Sequence, residues 1–157
     1  MKMQLIDPTV SIDADVVEQL NKAMSETTVV TAKAQTYHWN VTGMAFGPLH
    51  ALFQEIYEDH FEAQDTLAER IKALGVHVDG RMAYRLDKSA ISECDGTISS
   101  RAMVEELARD QKTLSSTLLG LARTAEECGD ALTNDMAIER ATVHDKFAWI
   151  LSAHLAE

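Results

Sequence analysis

Four long runs of residues, in which apolar side chains recur at steps of three and four, constrain the fold of this 157-residue chain most strongly. Such spacing places the apolar side chains along one face of a helix. The chain has only seven Gly and two Pro residues, which leaves little material for the turns that many short strands require. The sequence therefore predicts an all-α protein. The first run extends from about Asp13 to Val41 and includes Val16, Leu20, Ala23, Thr27, Val30, Ala34 and Tyr37.

The second run, from about Pro48 to Leu74, has a boundary signal at each end. Pro48 falls in the first helical turn, where a missing N–H is tolerated. Gly75 occupies the position at which helices commonly end in a left-handed residue. Gly43 and the Gly47-Pro48 pair indicate a short turn, so we expect the first two helices to be antiparallel neighbours.

The C-terminal half predicts two further helices. The third begins at the Ser99-Ser100 pair and extends to about Glu127, and the fourth begins at a cap, either Asp130 or Thr133, and continues through residue 151. Residues 76–98 form a connection with weaker signals. A connection of this length joins two parallel helices more naturally than two antiparallel ones.

The connection contains one short helical pattern, around Met82 to Asp87. Four helices with one long middle crossover are the arrangement of ferritin-like bundles. A chain of this length forms one domain with a core of its own. We therefore predict a ferritin-like four-helix bundle over residues 13–157, with a short helix in the crossover between helices two and three, preceded by a short tail over residues 1–12.

The charge balance argues for cations as partners. The chain has 25 acidic and 14 basic residues, a net charge of −11. This excess attracts cations and disfavours binding to DNA phosphates or to anionic membranes. No run approaches the ~18 apolar residues of a membrane helix, and no signal peptide is evident, so we expect a protein of the cytoplasm or nucleoid. Cys94 and Cys128 are expected to be reduced thiols.

The histidines do not follow the pattern of a di-iron site within one bundle. Such a site uses Glu-x-x-His pairs on two helices, and none of the six His residues has Glu three positions before it. Two His residues instead flank the first predicted turn: His38 near the end of helix one, and His50 in the first turn of helix two. Asp65 and Glu69 follow on helix two, one helical turn apart. Imidazole and carboxylate together are suitable ligands for Fe(II).

The length of helix two separates these two pairs. His50 and Asp65 are fifteen residues apart in the sequence, which corresponds to about 22 Å along a helix. No single metal site spans that distance. A two-fold related copy with an antiparallel helix two would bring Asp65 and Glu69 of one chain to His38 and His50 of the other. The sequence therefore predicts metal sites shared between two chains.

Several motifs resemble the Dps family of mini-ferritins. They are His38-Trp39-Asn40-x-x-Gly43, Phe46, Leu49-His50-x-x-Phe53, Tyr57, Asp65-x-x-Ala68-Glu69-Arg70, the segment 129–136 and His144-Asp145-Lys146-x-Ala148-Trp149. The resemblance implies a homo-dodecameric hollow shell with ferroxidase centres at its dimer interfaces. It also implies an enzyme that oxidises Fe(II) with hydrogen peroxide or oxygen and stores the ferric mineral, which protects DNA.

Two features of the family pattern leave alternatives open. Members usually carry Asp or Glu four residues after the second His, where this chain has Gln54. We therefore expect a weaker second iron position, or one completed by water or by a carboxylate such as Glu58. Acidic residues at the matching positions line iron-entry pores in Dps shells, so Glu126, Asp130 and Asp135 are pore candidates, although Asp130 is equally explained as a helix cap.

Some of these residues have purely structural explanations, and other functions compete with iron oxidation. Trp39 is explained equally by interface packing and by electron donation. The four remaining histidines are expected at the surface or core edge; they are His60, His77, His144 and His154.

The runner-up function is a DNA-compacting nucleoid protein. Members that compact DNA use Lys/Arg-rich tails, whereas residues 1–15 contain one basic residue, Lys2, so direct DNA binding is disfavoured. A structural shell with a degraded iron site is a third reading.

Overall fold

The computed structural model describes residues 13–156, and the predicted tail over residues 1–12 lies outside them. The described part consists of five helices: α1 (Ala14–Asn40), α2 (Phe46–Ala73), α3 (Met82–Lys88), α4 (Ser100–Glu127) and α5 (Ala131–Ala153). The prediction of an all-α bundle with a short helix in the crossover is confirmed. Within residues 13–156, no helix combines the length and the apolarity needed to span a membrane.

Side-chain contacts between the helices reveal their relative directions. As residue numbers rise along α1, the numbers of its contact partners fall along both α2 and α4, so α1 is antiparallel to each. The helices α2 and α4 are therefore parallel, as the long crossover predicts. The contacts are Gln19–Thr124 and Lys33–Asp110 between α1 and α4, and Thr31–Gln64 and His38–His50 between α1 and α2.

The helix starts follow local capping chemistry. The side chain of Asp13 accepts hydrogen bonds from the first turn of α1, and the Ser99 hydroxyl accepts one from Ala102 N at 3.1 Å. Asp130 Oδ1 accepts one from Thr133 N at 3.0 Å, so Asp130, and not Thr133, is the N-cap of α5.

The predicted C-terminal end of α2 is confirmed, and its predicted start differs slightly from the observed one. Gly75 has φ of 80°, as expected for a left-handed helix end, and Val76 N donates to Ile71 O at 3.2 Å behind it. The helix begins at Phe46, two residues before the predicted start at Pro48. Proline is compatible with the whole first turn, whose N–H groups have no acceptor within the helix, so it marks the turn and not its first residue.

The core consists of two apolar halves separated by a polar layer. Apolar clusters of this kind supply most of the stability of a helical bundle, because burial removes their surface from water. The half nearer the α1–α2 turn contains Tyr37, Phe53, Ile56, Met103, Leu107 and Leu114, and the other contains Leu20, Leu67, Ile71, Leu118 and Leu121. Buried polar residues lie between them, namely Ser25, Glu26, Thr27, His60, Gln111, Ser115 and His144. Both cysteines are free, as predicted.

Candidate functional site

The turn between α1 and α2 brings two histidines into contact. His38 lies in the last turn of α1 and His50 in the first turn of α2, with residues 41–45 between the helices. Gly43 has φ of 98°, a backbone conformation that glycine adopts without steric cost, and it allows the chain to reverse within this short segment. The two imidazole rings stack with centroids 3.7 Å apart and an interplanar angle of 18°.

Reciprocal hydrogen bonds determine which ring nitrogens remain free. His38 Nδ1 lies 2.7 Å from His50 O, and His50 Nδ1 lies 2.8 Å from His38 O. A carbonyl oxygen only accepts, so each Nδ1 carries the proton and donates it. The lone pair of each neutral ring is then on Nε2, which is the tautomer and orientation of a metal-binding histidine held by a carbonyl. The pair is thus prepared to offer two nitrogen ligands.

Two aromatic side chains hold the imidazole planes. Phe46 stacks against His50 at 5.0 Å between centroids, and Tyr57 contacts His38 edge-on at 5.4 Å. Contacts of this geometry restrict ring rotation and contribute about 0.5–1.5 kcal/mol each. In the sequence, both aromatics were identified only as parts of a motif, and their contacts with the imidazoles were not predicted. The spacing from Phe46 to His50, one helical turn, was the available signal for this contact.

The structure does not bring the predicted carboxylates to this pair within one chain. Asp65 and Glu69 are exposed on α2. Because α2 is continuous from Phe46 to Ala73, Asp65 lies about 22 Å along the helix from His50. In the part of the chain that the structure describes, no group of three or more His, Cys, Asp or Glu residues is arranged to hold a metal ion.

Gln54 lies between the two pairs, one turn beyond His50. Its side chain is half-buried, and its Nε2 donates a hydrogen bond to Glu58 Oε1 at 2.7 Å. Gln54 and Glu58, which the sequence analysis named as the doubtful ligand and its possible replacement, are therefore in direct contact. This contact spans one turn along the same helix face.

The far end of α2 is tied to the start of α5. Arg70 Nη2 pairs with Asp130 Oδ1 at 2.7 Å, and Arg70 Nε donates to Thr133 Oγ1 at 2.8 Å. Burial alone would raise the pKa of Asp130, but hydrogen bonds from Thr133 and Arg70 lower it below its usual value. Both oxygens of Asp130 are engaged: Oδ1 accepts from Arg70 Nη2 and Thr133 N, and Oδ2 accepts from the Thr133 hydroxyl at 2.5 Å. The capping interpretation of this residue is therefore observed.

The other two pore candidates lie at the same end of the bundle. Glu126, in the last turn of α4, and Asp135, in the first turns of α5, are both exposed. Their side chains are free to face solvent or another chain. Their role in a pore stays a prediction.

The polar layer between the apolar halves was not predicted from the sequence. His60 and His144 were expected at the surface or core edge, and this is wrong, because their exposed fractions are 0% and 1%. His77 and His154 are exposed, as expected. Gln111, on α4, is fully buried between the two buried rings.

A closed ring of hydrogen bonds defines the protonation of this layer. The Asp59 carboxylate accepts from His60 Nδ1 at 2.9 Å, so His60 Nε2 is an acceptor and pairs with Gln111 Nε2 at 3.0 Å. Gln111 Oε1 then accepts from His144 Nδ1 at 2.7 Å. Arg140 Nη2 lies 3.4 Å from His144 Nε2 and 2.8 Å from Asp59 Oδ2, which closes the ring. Both histidines are neutral in this arrangement.

Burial and charge oppose protonation of the layer. Burial lowers the pKa of His60. Burial, followed by the repulsion that a protonated His60 and Arg140 would exert, lowers the pKa of His144 well below 6.5. Burial alone would raise the pKa of Asp59, but hydrogen bonds from His60 and Arg140 lower it. The ring is therefore a structural network that contains one ion pair. Both nitrogens of each histidine have a partner and offer no free lone pair, whereas Arg140 Nε has no partner among the described residues.

Comparison with known proteins gives consistent matches. The model of the ferritin-like domain family matches residues 17–157. A DNA protection during starvation protein of Brevibacillus brevis is 34% identical over 147 residues, covering 92% of this chain and 97% of that protein. The crystal structure of Dps from Staphylococcus aureus superposes with a TM-score of 0.90 at 34% identity, covering 94% of this chain and 99% of that one.

The description of a further similar structure names the kind of metal site of its superfamily. The Dps protein of Vibrio cholerae O1, described as a member of a superfamily of ferritin-like diiron-carboxylate proteins, superposes with a TM-score of 0.89 at 26% identity. The match covers 99% of this chain and 100% of that one. The similarity therefore extends over the whole bundle, including the two-histidine turn.

Proposed function

Because this chain belongs to the Dps family of ferritin-like proteins, we propose that it oxidises Fe(II) at sites shared between two chains and stores the ferric product. The observation that carries the proposal is the reciprocal His38–His50 pair, whose hydrogen bonds leave both Nε2 lone pairs free. Neutral imidazole is a suitable ligand for iron, and the carboxylates complete the site by neutralising the positive charge of the metal ion. The ligands of each site are His38 and His50 of one chain with Asp65 and Glu69 of the other.

The geometry of α2 supports the shared site. If two copies of α2 cross antiparallel about an axis midway along the helix, near Asp59 and His60, His50 comes opposite the partner subunit's Glu69. The same pairing brings Gln54 opposite the partner subunit's Asp65. A two-fold axis repeats each contact, so one interface generates two identical sites.

An exposed aromatic side chain near this axis supports the same interface. Phe61 is 71% exposed on α2, and at 100° per residue it lies only about 20° around the helix from His50. It borders two open cavities of about 650 and 410 Å³, one beside Asp65 and the other beside Tyr57 and Glu58. An antiparallel partner can insert its own aromatic side chain into one of them, which buries apolar surface that one chain leaves in water.

The proposed chemistry follows from electron counting. Two Fe(II) ions supply two electrons to one hydrogen peroxide molecule, which takes up two protons from water and becomes two water molecules without forming a hydroxyl radical. Oxygen is the alternative oxidant. The residues of this chain orient the imidazole ligands and supply negative charge for the two metal ions. Protection of DNA then follows from removal of Fe(II) and peroxide in the cytoplasm.

The shell belongs to the same proposal. A homo-dodecamer would enclose the ferric mineral, and Glu126 and Asp135 would line the route by which Fe(II) enters, because exposed carboxylates attract cations. Light scattering of the purified protein tests the assembly. A monomer or an isolated dimer that stores iron at full capacity would contradict it.

Direct compaction of DNA is the competing function, and the charge of the chain opposes it. The net charge of −11 repels phosphates at physiological salt. The tail over residues 1–12, where DNA-binding members carry basic residues, lies outside the described residues. Retardation of plasmid DNA by metal-free protein at low salt would revive this alternative.

A mixing experiment tests the shared site. The variant His38→Ala/His50→Ala and the variant Asp65→Ala/Glu69→Ala are denatured and refolded, separately and together, and Fe(II) oxidation is followed by ultraviolet absorbance. Neither parent should oxidise iron, whereas each hybrid dimer regains one intact site, so random pairing restores about a quarter of the wild-type sites. Hybrids as inactive as both parents would show that the sites are not shared in this way.

A further inference from the structure

The side-chain amide of Gln54 is held in one orientation. Its distance of 2.7 Å to Glu58 Oε1 requires the amide N–H to face the carboxylate, because an amide oxygen there would repel it. The amide oxygen of Gln54 is therefore on the side away from Glu58. Among residues 13–156, no donor is hydrogen-bonded to that oxygen.

Gln54 lies one helical turn from an imidazole that the proposed site uses as a ligand. Gln54 follows His50 by four residues on continuous α2, so the two side chains share one helix face about one turn apart. The Nε2 of His50 is free because its Nδ1 donates to His38 O. A nitrogen donor and an uncharged oxygen donor therefore lie together at the same end of α2.

The surrounding charges explain why an amide is tolerated here. The exposed acidic residues of α2 are Glu55, Glu58, Glu62, Asp65 and Glu69. A carboxylate at position 54 would repel Glu58 across one helical turn, whereas the amide donates a hydrogen bond to it. The interface proposed above would bring a second set of these charges close. With Gln54 in place of a carboxylate, this part of the helix therefore has one negative charge fewer among several that lie close together.

We propose that Gln54, oriented by Glu58, makes the shared iron site selective for ion charge: its neutral oxygen serves Fe(II), and the absent carboxylate lets Fe(III) leave. This inference rests on the proposed function and concerns the same site. Gln54 touches the metal ion, and Glu58 is a positioning residue that acts through Gln54.

The physical basis is the dependence of Coulomb energy on ion charge. At equal distance and dielectric, an added negative charge stabilises a trivalent ion one and a half times as strongly as a divalent ion. A substitution that tightens divalent binding about tenfold should therefore tighten trivalent binding about thirtyfold. Selectivity between the two ions should change, and not affinity alone.

The first test compares two redox-silent ions on the full-length, assembled protein. Co(II) and Ga(III), the latter supplied as its citrate complex, are titrated calorimetrically into wild type and Gln54→Glu. We expect the gain in Ga(III) affinity to exceed the gain in Co(II) affinity about threefold. Thr142→Glu adds the same charge at an exposed position of α5 and should leave the ratio unchanged. Equal gains for both ions in Gln54→Glu would overturn the charge-selective role.

The second test separates orientation from charge at Glu58. Glu58→Gln keeps an oxygen that accepts from Gln54 Nε2, whereas Glu58→Ala removes the acceptor. We expect the visible absorption of bound Co(II) and its affinity to stay near wild type in Glu58→Gln and to change in Glu58→Ala, with affinity falling about tenfold. Equal losses in both variants would show that Glu58 acts by its charge and would overturn the positioning role.

Failure of this inference can be told from failure of the proposed function. The variant His38→Ala/His50→Ala serves as the reference for a lost site. If wild type binds Co(II) no better than this reference, both proposals are wrong. If wild type binds Co(II) strongly, and Gln54→Ala and Gln54→Glu bind both ions as wild type does, only the role of Gln54 is wrong.

Discussion

His38 and His50 each donate a hydrogen bond from Nδ1 to the main-chain carbonyl oxygen of the other, at 2.7 and 2.8 Å. Each Nδ1 is therefore hydrogen-bonded to the backbone of the neighbouring histidine and not to its side chain. The two rings also stack at 3.7 Å, so each limits the rotation of the other. In the proposed site, this arrangement would present two Nε2 ligands in fixed positions before a metal ion binds, which would reduce the entropy lost on binding.

This dependence on the backbone predicts a graded loss of metal affinity. In His50→Ala the carbonyl oxygen of residue 50 remains, so His38 keeps its tautomer and roughly its orientation. We expect Co(II) affinity to fall about a hundredfold in His50→Ala and more in the double variant His38→Ala/His50→Ala, with unchanged helix content by circular dichroism. A single variant that loses as much as the double variant would show that the pair acts only as a unit.

The polar layer predicts a stability that declines as pH falls. The pKa values of His60 and His144 are lowered by burial in the folded protein, whereas in the unfolded chain they lie near 6.5. Between these values the unfolded chain binds more protons, so the stability that is present above about pH 6.5 is lost as pH falls towards the folded pKa values. The free energy of unfolding should decrease by up to about 1.4 kcal/mol per histidine and pH unit.

Urea unfolding between pH 7.5 and 5.5 measures this slope. His144→Gln removes one of the two buried titrating groups and should reduce the slope by about half. His77→Gln removes an exposed histidine and should leave the slope unchanged. A slope that is the same in wild type and His144→Gln would mean that the layer does not govern the acid sensitivity.

The central position of Gln111 predicts that replacing it alone costs more stability than replacing all the polar residues it bonds to together with it. In Gln111→Leu, His60 Nε2 and His144 Nδ1 both lose their partner while they stay buried, which should cost about 2–5 kcal/mol of unfolding free energy. Replacing all three residues, His60, Gln111 and His144, by Leu removes the polar atoms together and should cost less than the single change. Urea unfolding of both variants at pH 7.5 checks the order, and the reverse order would contradict this account of the layer.

Asp130 combines two roles that different substitutions can separate. Asp130→Asn keeps a capping oxygen for Thr133 N but loses the ion pair with Arg70, so we expect a loss of at most about 1 kcal/mol. Asp130→Ala loses the cap as well and leaves Arg70 without its carboxylate, which should cost about 2–3 kcal/mol. Thermal unfolding of both variants measures the difference. Equal losses would assign the whole effect to the ion pair.

The helices were predictable because their determinants are local. Apolar periodicity, the caps at Ser99 and Asp130 and the glycine at position 75 each act within one or two turns. The start of α2 was misjudged by two residues, since Pro48 is compatible with several positions of a first turn. The contact of His38 with His50 was also predictable, because a short turn between antiparallel helices leaves few other arrangements.

The buried layer could not be predicted in the same way. His60, Gln111 and His144 lie on three different helices, and each is one polar residue within an otherwise apolar stripe. Only the packing of α2, α4 and α5 brings the three side chains within hydrogen-bond distance. A lone histidine on one helix carries no signal of partners that lie 51 and 84 positions further along the chain.

Residue types and their local spacing were enough to predict the number of helices, their boundaries to within a few residues, the long crossover and the histidine turn, since neighbouring residues govern all of these. The packed bundle was needed to show which nitrogens of His38 and His50 are free, which atoms bond to the oxygens of Asp130 and which partners the buried histidines have. The reason is that hydrogen bonds require distances and directions between groups, and residue type and spacing along one helix do not supply them across a bundle.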